Sequence, residues 1–295
     1  EWEKKITKKN MKSKMTWLYP TFWSILIGSI FPILASETLK SAPPFLTLTI
    51  TFFIAAIALG IIIIFQKKTN ELGHKSAWKY AFYTGIFNGV LFYGFYYFGL
   101  LTTSPWNAAL VAQTEVVFSF LYFQAWHKES LSKNHIIGAL LLILWAVYLI
   151  IPRTSWWNHG DIFVLIGMMF APLGNYYQKK WRTKISAQTF LFMRYICTLP
   201  FVFTISFMRN EIGTPLWYNI LWQMALMGIM VFVIKNILWV ESIRLVTVTR
   251  ILALHGFMPF LTIILVWWIY WSLPTQAQLM SGIPMIIWVY FLSKE

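Results

Sequence analysis

Four ionisable side chains, Glu115, Arg194, Lys235 and His255, lie inside stretches otherwise apolar enough to cross a lipid bilayer. A charge at the centre of a span costs ~2.5 kcal/mol or more on most scales, so each of these groups calls for a reason. Glu115, halfway along its stretch and accompanied by Asn107 and Gln113, could couple to a proton or anchor a substrate ammonium. The structural alternative is a protonated Glu that ties two helices together. His255 could carry a proton or meet a carboxylate, or pack by hydrogen-bonding a neighbouring helix. Lys235, beside Asn236, could face an anionic group or snorkel to the interface. For Arg194, structural pairing or snorkelling is the expectation, and for Glu37, at the end of the first stretch, solvated loop chemistry.

Polar and aromatic groups surround these positions in the sequence. Asn88 sits within Gly85-Ile-Phe-Asn-Gly89, a spacing of small residues that lets another helix come close. Packing within the protomer is expected of it, with a homodimer contact as the second reading. Phe92, Tyr93, Tyr96, Tyr97 and Trp106 follow, and Tyr176, Tyr177 and Trp239 come later. Aromatic faces beside a carboxylate suit an organic cation or an amino acid with a bulky side chain; lipid-facing and interfacial positions are expected for more than half of the set. Pro32 and Pro172 each remove a backbone hydrogen bond and bend a helix, which makes them candidate hinges, and Asn175 offers a polar contact just beyond the second. The candidate substrate-binding set is therefore Glu115, Asn88, His255, Lys235, Asn175, Tyr96 and Trp239, with Glu115 and His255 as candidate proton carriers.

The elements that must position these residues are membrane spans. Apolar residues make up 58% of the chain and charged residues 12%, about half the charged share of a soluble domain. The 295 residues accommodate roughly ten spans of about 20 residues, expected at 17–38, 44–65, 78–100, 105–126, 135–151, 160–178, 187–208, 216–240, 246–271 and 276–292. The net charge of +14 is not a nucleic-acid signal, because of where the basic residues fall. Lys40, Arg153 and Arg209 lie on one side and Arg194 and Lys235 within spans, whereas the rest of the 24 Lys and Arg fall on the other side. The positive-inside rule then puts both termini in the cytoplasm, which requires an even number of spans. The first apolar run is too long for a cleavable signal core, and Met11 is a candidate natural start. One cysteine, Cys197, excludes an intramolecular disulfide and a Cys-based metal cluster. No nucleotide-binding, zinc-protease or serine-hydrolase motif is present, so neither an enzyme nor any cofactor or metal is implied.

The chain also reads as one five-span module written twice. SIFPILASETLK at 29–40 is echoed by MFAPLGNYYQKK at 169–180, and an odd number of spans makes the second copy enter the membrane in the opposite sense. The expected organisation is a basic cytoplasmic segment over 1–16, a first five-helix repeat over 17–151 and a second over 160–292, forming one all-α membrane domain of ten helices.

Residues 98–110 (FGLLTTSPWNAAL), then Thr114 to Phe118, His127 to Ser132 and Ile137 to Leu140 resemble, in order and spacing, the motifs of the drug/metabolite transporter superfamily of EamA-like type. Residues 251–259 (ILALHGFMP) fill the same slot in the second module. The sequence departs from the pattern at Val116, where the family has the proline that Pro259 keeps, and at Thr51-Phe52, where an Arg-Phe pair is common. The resemblance implies alternating access around a central cavity lined by helices 1, 3, 4, 6, 8 and 9. It further implies a secondary transporter of small polar metabolites, above all amino acids or related amines. Export is expected over import, from a bacterial inner membrane, with proton or exchange coupling. An exchanger of a larger metabolite such as S-adenosylmethionine is the alternative within that class; a non-transporting membrane scaffold or receptor is the alternative outside it. The partners expected are a small-molecule substrate and the lipid bilayer.

Overall fold

The computed structural model describes residues 18–127, 159–182, 184–216, 218–245, 251 and 254–271. The expected fifth and tenth spans, the basic segment over 1–16 and the motif residues from Lys128 to Leu140 lie outside them. The described elements are helical, with no strand among them. In the first repeat they are α1 (Leu18–Leu39), α2 (Pro44–Phe65), α3 (Lys75–Thr84), a π-helical segment (Gly85–Phe92), α4 (Tyr93–Leu100), α5 (Pro105–Val111) and α6 (Thr114–His127). In the second they are α7 (His159–Arg182), α8 (Ala187–Met208), α9 (Tyr218–Met227), a π-helical segment (Gly228–Lys235), α10 (Asn236–Leu245) and α11 (Met258–Tyr270). Four stretches, Leu18–Leu39, Pro44–Phe65, Ala187–Met208 and Ile220–Leu245, are long and apolar enough to cross a membrane by length and composition.

Local chemistry sets the ends of these helices. Pro44 and Pro105 occupy first turns, where a missing N–H costs nothing. Ser104 and Ser186 cap α5 and α8, each accepting from the backbone N–H three residues on. After α2 and α8 the chain turns through a left-handed residue, Lys67 (φ 53°) and Asn210 (φ 54°). In both turns the next amide reaches back five residues, Lys68 to Ile63 and Glu211 to Ser206, at 3.0 Å each.

The repeat is thus visible in the backbone itself. Helices α2 and α8, the left-handed residues Lys67 and Asn210, and the π segments starting at Gly85 and Gly228 are each 143 residues apart (44 to 187, 67 to 210, 85 to 228). This common register corrects the expected match of the prolines. Pro32 falls opposite Asn175 and Pro172 opposite Ser29, about one helical turn out of step. The helices run unbroken through both prolines, and through Pro200, which was not singled out as a hinge.

The repeats cross-brace each other at their loops. Glu71, following α2, accepts from the Ser186 amide (2.9 Å) and hydroxyl (2.6 Å) at the start of α8. Glu211, following α8, accepts from the Leu46 amide at 2.9 Å in the first turn of α2 and from Arg209 at 2.8 Å. Each carboxylate satisfies free amides at the positive end of the other repeat's helix. Burial pushes the Glu71 carboxyl up, but hydrogen bonds from Ser186 and Thr189, with Lys68 nearby, outweigh it and hold the group below its ordinary value. Its stabilising contribution is therefore complete above the unfolded value of about 4.3 and lost as pH falls through the lower folded value. Glu71→Ala is expected to cost about 1 kcal/mol, as loss of a helix cap does. The check is a lowered thermal midpoint at pH 7 and a shallower loss of stability on acidification than in the parent protein.

Two expected boundaries shift in ways that matter for the site. The fourth span, expected as one helix over 105–126, is broken at Ala112 and Gln113 into α5 and α6. Across the break the amides of Gln113, Glu115 and Val116 bond three residues back, and the Thr114 hydroxyl donates to the Val111 carbonyl at 2.7 Å. The ninth span turns at Gly256 and Phe257 before α11, the same place in the repeat. The eighth span continues past its expected end at 240 to Leu245, where Ser242 and Ile243 extend the buried face of Trp239 and Val240.

Candidate functional site

The break in the fourth span puts Glu115 in the first turn of α6 instead of mid-helix, with the positive end of that helix behind its carboxylate. The carboxylate is partly exposed, to a cavity of about 120 Å³ between the repeats. The first π segment places Asn88 on the same wall, and α7 adds Asn175. These side chains form one chain of hydrogen bonds. Asn88 Nδ2 donates to Asn175 Oδ1 at 3.1 Å, and Asn175 Nδ2 donates to Glu115 Oε1 at 2.7 Å.

Basic residues line the same cavity. Lys235, the last residue of the second π segment, lines the cavity with Trp239 of α10, its Nζ 5.8 Å from the indole ring centroid. π-Helical turns are uncommon and recur at functional sites; here both deliver a polar residue, Asn88 or Lys235, to the cavity. His255 precedes the turn before α11, is 7% exposed, and packs edge-on to Trp239 at 4.8 Å. Ser24 Oγ and His255 Nε2 are 3.0 Å apart. The Ser24 hydroxyl also reaches the Thr21 carbonyl at 2.9 Å, so the serine links His255 to the α1 backbone.

Every member of the expected substrate-binding set (Glu115, Asn88, His255, Lys235, Asn175, Tyr96 and Trp239) lines this cavity, and so does Pro32, whereas Pro172 does not. Three aromatics of the set expected to be mostly lipid-facing or interfacial are core. Tyr93, Tyr96 and Tyr97 are at most 5% exposed and pack around Phe31, with ring centroids 5.3–6.0 Å apart. The Gly85 and Gly89 face is filled by α8: a Cβ at Gly89 would stand 2.5 Å from Thr198, so the spacing serves packing within the chain.

The sequence reading left Arg194 out of the site, yet it lines the cavity at 3% exposure. Its guanidinium donates to Gln178 Oε1 at 3.2 Å and Tyr195 Oη at 2.8 Å. Tyr195 is itself held by Asn236 at 2.8 Å and donates to the Phe232 carbonyl at 2.6 Å. Of the two expectations for Arg194, structural pairing or snorkelling, the burial excludes snorkelling and the hydrogen bonds fit pairing. The available signal was its place on the second helix of its repeat, opposite Thr51 in the register of 143.

A family model for EamA-like transporters matches residues 9–151 and again residues 158–294. A solved structure described only as a crystal structure of a protein is similar over 95% of this chain and 96% of its own, with a TM-score of 0.72 and 18% identity. That likeness speaks for the fold. No curated protein matches the chain.

Proposed function

The chain belongs to the EamA-like transporter family, a membrane transporter of the drug/metabolite superfamily, and from that premise we propose that it carries small amino acids or related amines by alternating access. The observation that carries the reading is the mixed lining of one cavity, which holds Glu115 and its amide chain together with Lys235, Arg194 and His255. A carboxylate and cations within one aromatic-lined space match the two ends of an amino acid. Glu115 takes the ammonium or a proton, the basic residues take the carboxylate, and Tyr96 and Trp239 bound the remainder. At about 120 Å³ the cavity is well under the roughly 300–1,000 Å³ of drug-sized sites, which favours a compact substrate over a nucleoside-type metabolite.

We place the protein in a bacterial inner membrane with both termini cytoplasmic, a placement that rests on the Lys and Arg distribution. Export follows family analogy, with Pro32 and Pro172 as bending points. Flux of labelled amino acids into proteoliposomes, measured with and without a pH gradient, tests the reading. Saturable flux of at least one amino acid is expected; its absence across a panel of amino acids and amines would end the proposal.

A further inference from the structure

The charges of the cavity do not balance, and the imbalance bears on the substrate. Arg194 is held entirely by neutral groups, Gln178 and Tyr195, and its buried Nε has no partner among the described residues. Lys235 Nζ likewise has no ion pair or hydrogen bond among the described residues; it lies near the Trp239 face and within electrostatic reach of Glu115 and Arg194. Apart from Glu115, the carboxylates among the described residues are committed elsewhere. Glu37 pairs with Lys40 and Tyr270, Glu71 with Ser186, Asp161 with Thr103, Glu211 with Arg209, and Glu241 with Arg244. Glu115 is the one acidic residue that lines the cavity among the described residues.

A buried guanidinium fixed by hydrogen bonds but left without a counter-charge is costly, and an anion supplied from outside removes that cost. The repeat sharpens the point. In the register of 143, Arg194 stands opposite Thr51 and Lys235 opposite Phe92, so the packed frame does not itself require a cation at either place. His255 engages Ser24 through Nε2, and the anion falls to the other two.

We propose that this cavity selects an amino dicarboxylate, a compact amino acid with a second carboxylate, which pairs its ammonium with Glu115 and one carboxylate with each of Arg194 and Lys235. The inference rests on the amino-acid reading and narrows it. A zwitterion leaves one cavity cation unmatched; a ligand of net charge −1 against a wall of net charge +1 leaves none. Replacing a charged carboxylate by an isosteric amide at such a site is expected to cost about tenfold or more in affinity.

Thermal stabilisation of the purified full chain by aspartate and by asparagine, titrated in parallel at pH 7, separates the possibilities, since a ligand of the folded state raises apparent stability with the logarithm of its concentration over its Kd. Aspartate should bind about tenfold or more tighter than asparagine. In Lys235→Gln, which breaks no hydrogen bond or ion pair described for that side chain, the ratio of the two affinities should fall to about one, whatever the change in either affinity alone. Asparagine binding as tightly as aspartate, or a preference unchanged in Lys235→Gln, overturns the dicarboxylate inference and leaves the amino-acid reading standing. Failure of aspartate, asparagine and a wider amino-acid panel to shift the midpoint removes both.

Discussion

In proteoliposomes, Glu115→Gln is expected to abolish the dependence of substrate flux on a pH gradient while leaving substrate exchange measurable. Glutamine keeps the shape of the side chain, and its carbonyl oxygen still accepts from Asn175 Nδ2, so the Asn88–Asn175 chain has no reason to collapse. What disappears is the one protonatable carboxylate on the cavity wall. Coupling between two ligands commonly amounts to about 1–3 kcal/mol, so stimulation by the gradient of roughly 5–150-fold would fall to none. The same substitution removes the carboxylate that takes the substrate's ammonium, so the apparent affinity for a substrate bearing an ammonium should also drop. Flux at matched pH in the variant separates the two effects. Gradient dependence preserved in Glu115→Gln would remove this residue from any proton role and return it to substrate binding alone.

The parts of this protein that were legible in its sequence are those set by one dominant energy. Moving a charged or unpaired polar group into hydrocarbon costs so much that span existence, the location of Glu115, Lys235 and His255, and the two-module organisation all stand out of the apolar background. Features set by smaller balances were hidden. The break at Ala112 and Gln113 carries neither Pro nor Gly, because the side chain of Thr114 and a tightened turn satisfy the freed backbone. In the second repeat the same break is spelled out by Gly256 and Pro259. Arg194 was misjudged for a related reason. Its distance from the membrane surface permits snorkelling, and only the fold brings Gln178, from α7, and Tyr195 into position to hold it inward. Proline identity gave a register of 140, whereas backbone geometry gives 143, since a hinge can move one turn along a helix without changing what the helix packs against.

Gly160→Ala is expected to be the most damaging conservative substitution outside the cavity. At the ends of α4 and α7 the two repeats meet backbone to backbone. A Cβ on Gly160 would collide with the Gly99 carbonyl oxygen and stand 2.6 Å from Thr102 Oγ1 and 2.8 Å from the Thr103 amide nitrogen. The reciprocal position is as tight, a Cβ on Gly99 lying 2.6 Å from the Gly160 carbonyl. Backbone cannot rotate aside as a side chain can, so α4 and α7 must separate, and the buried Thr103–Asp161 hydrogen bond beside the contact stretches with them. Overpacking of a well-filled interior costs about 1–3 kcal/mol, and loosening a buried hydrogen bond to a carboxylate adds roughly 1.5 kcal/mol or more. A loss of about 3 kcal/mol or more, read as a lowered thermal midpoint and reduced folded yield, is therefore expected. Gly73→Ala makes the control, because a Cβ there meets nothing within 4 Å. Equal tolerance of the two substitutions would show that the repeats do not approach as closely as Gly99 and Gly160 require. The Asn88–Asn175 bond depends on the same pair of spans further along, so the Gly160 variant should lose ligand stabilisation as well as thermal stability.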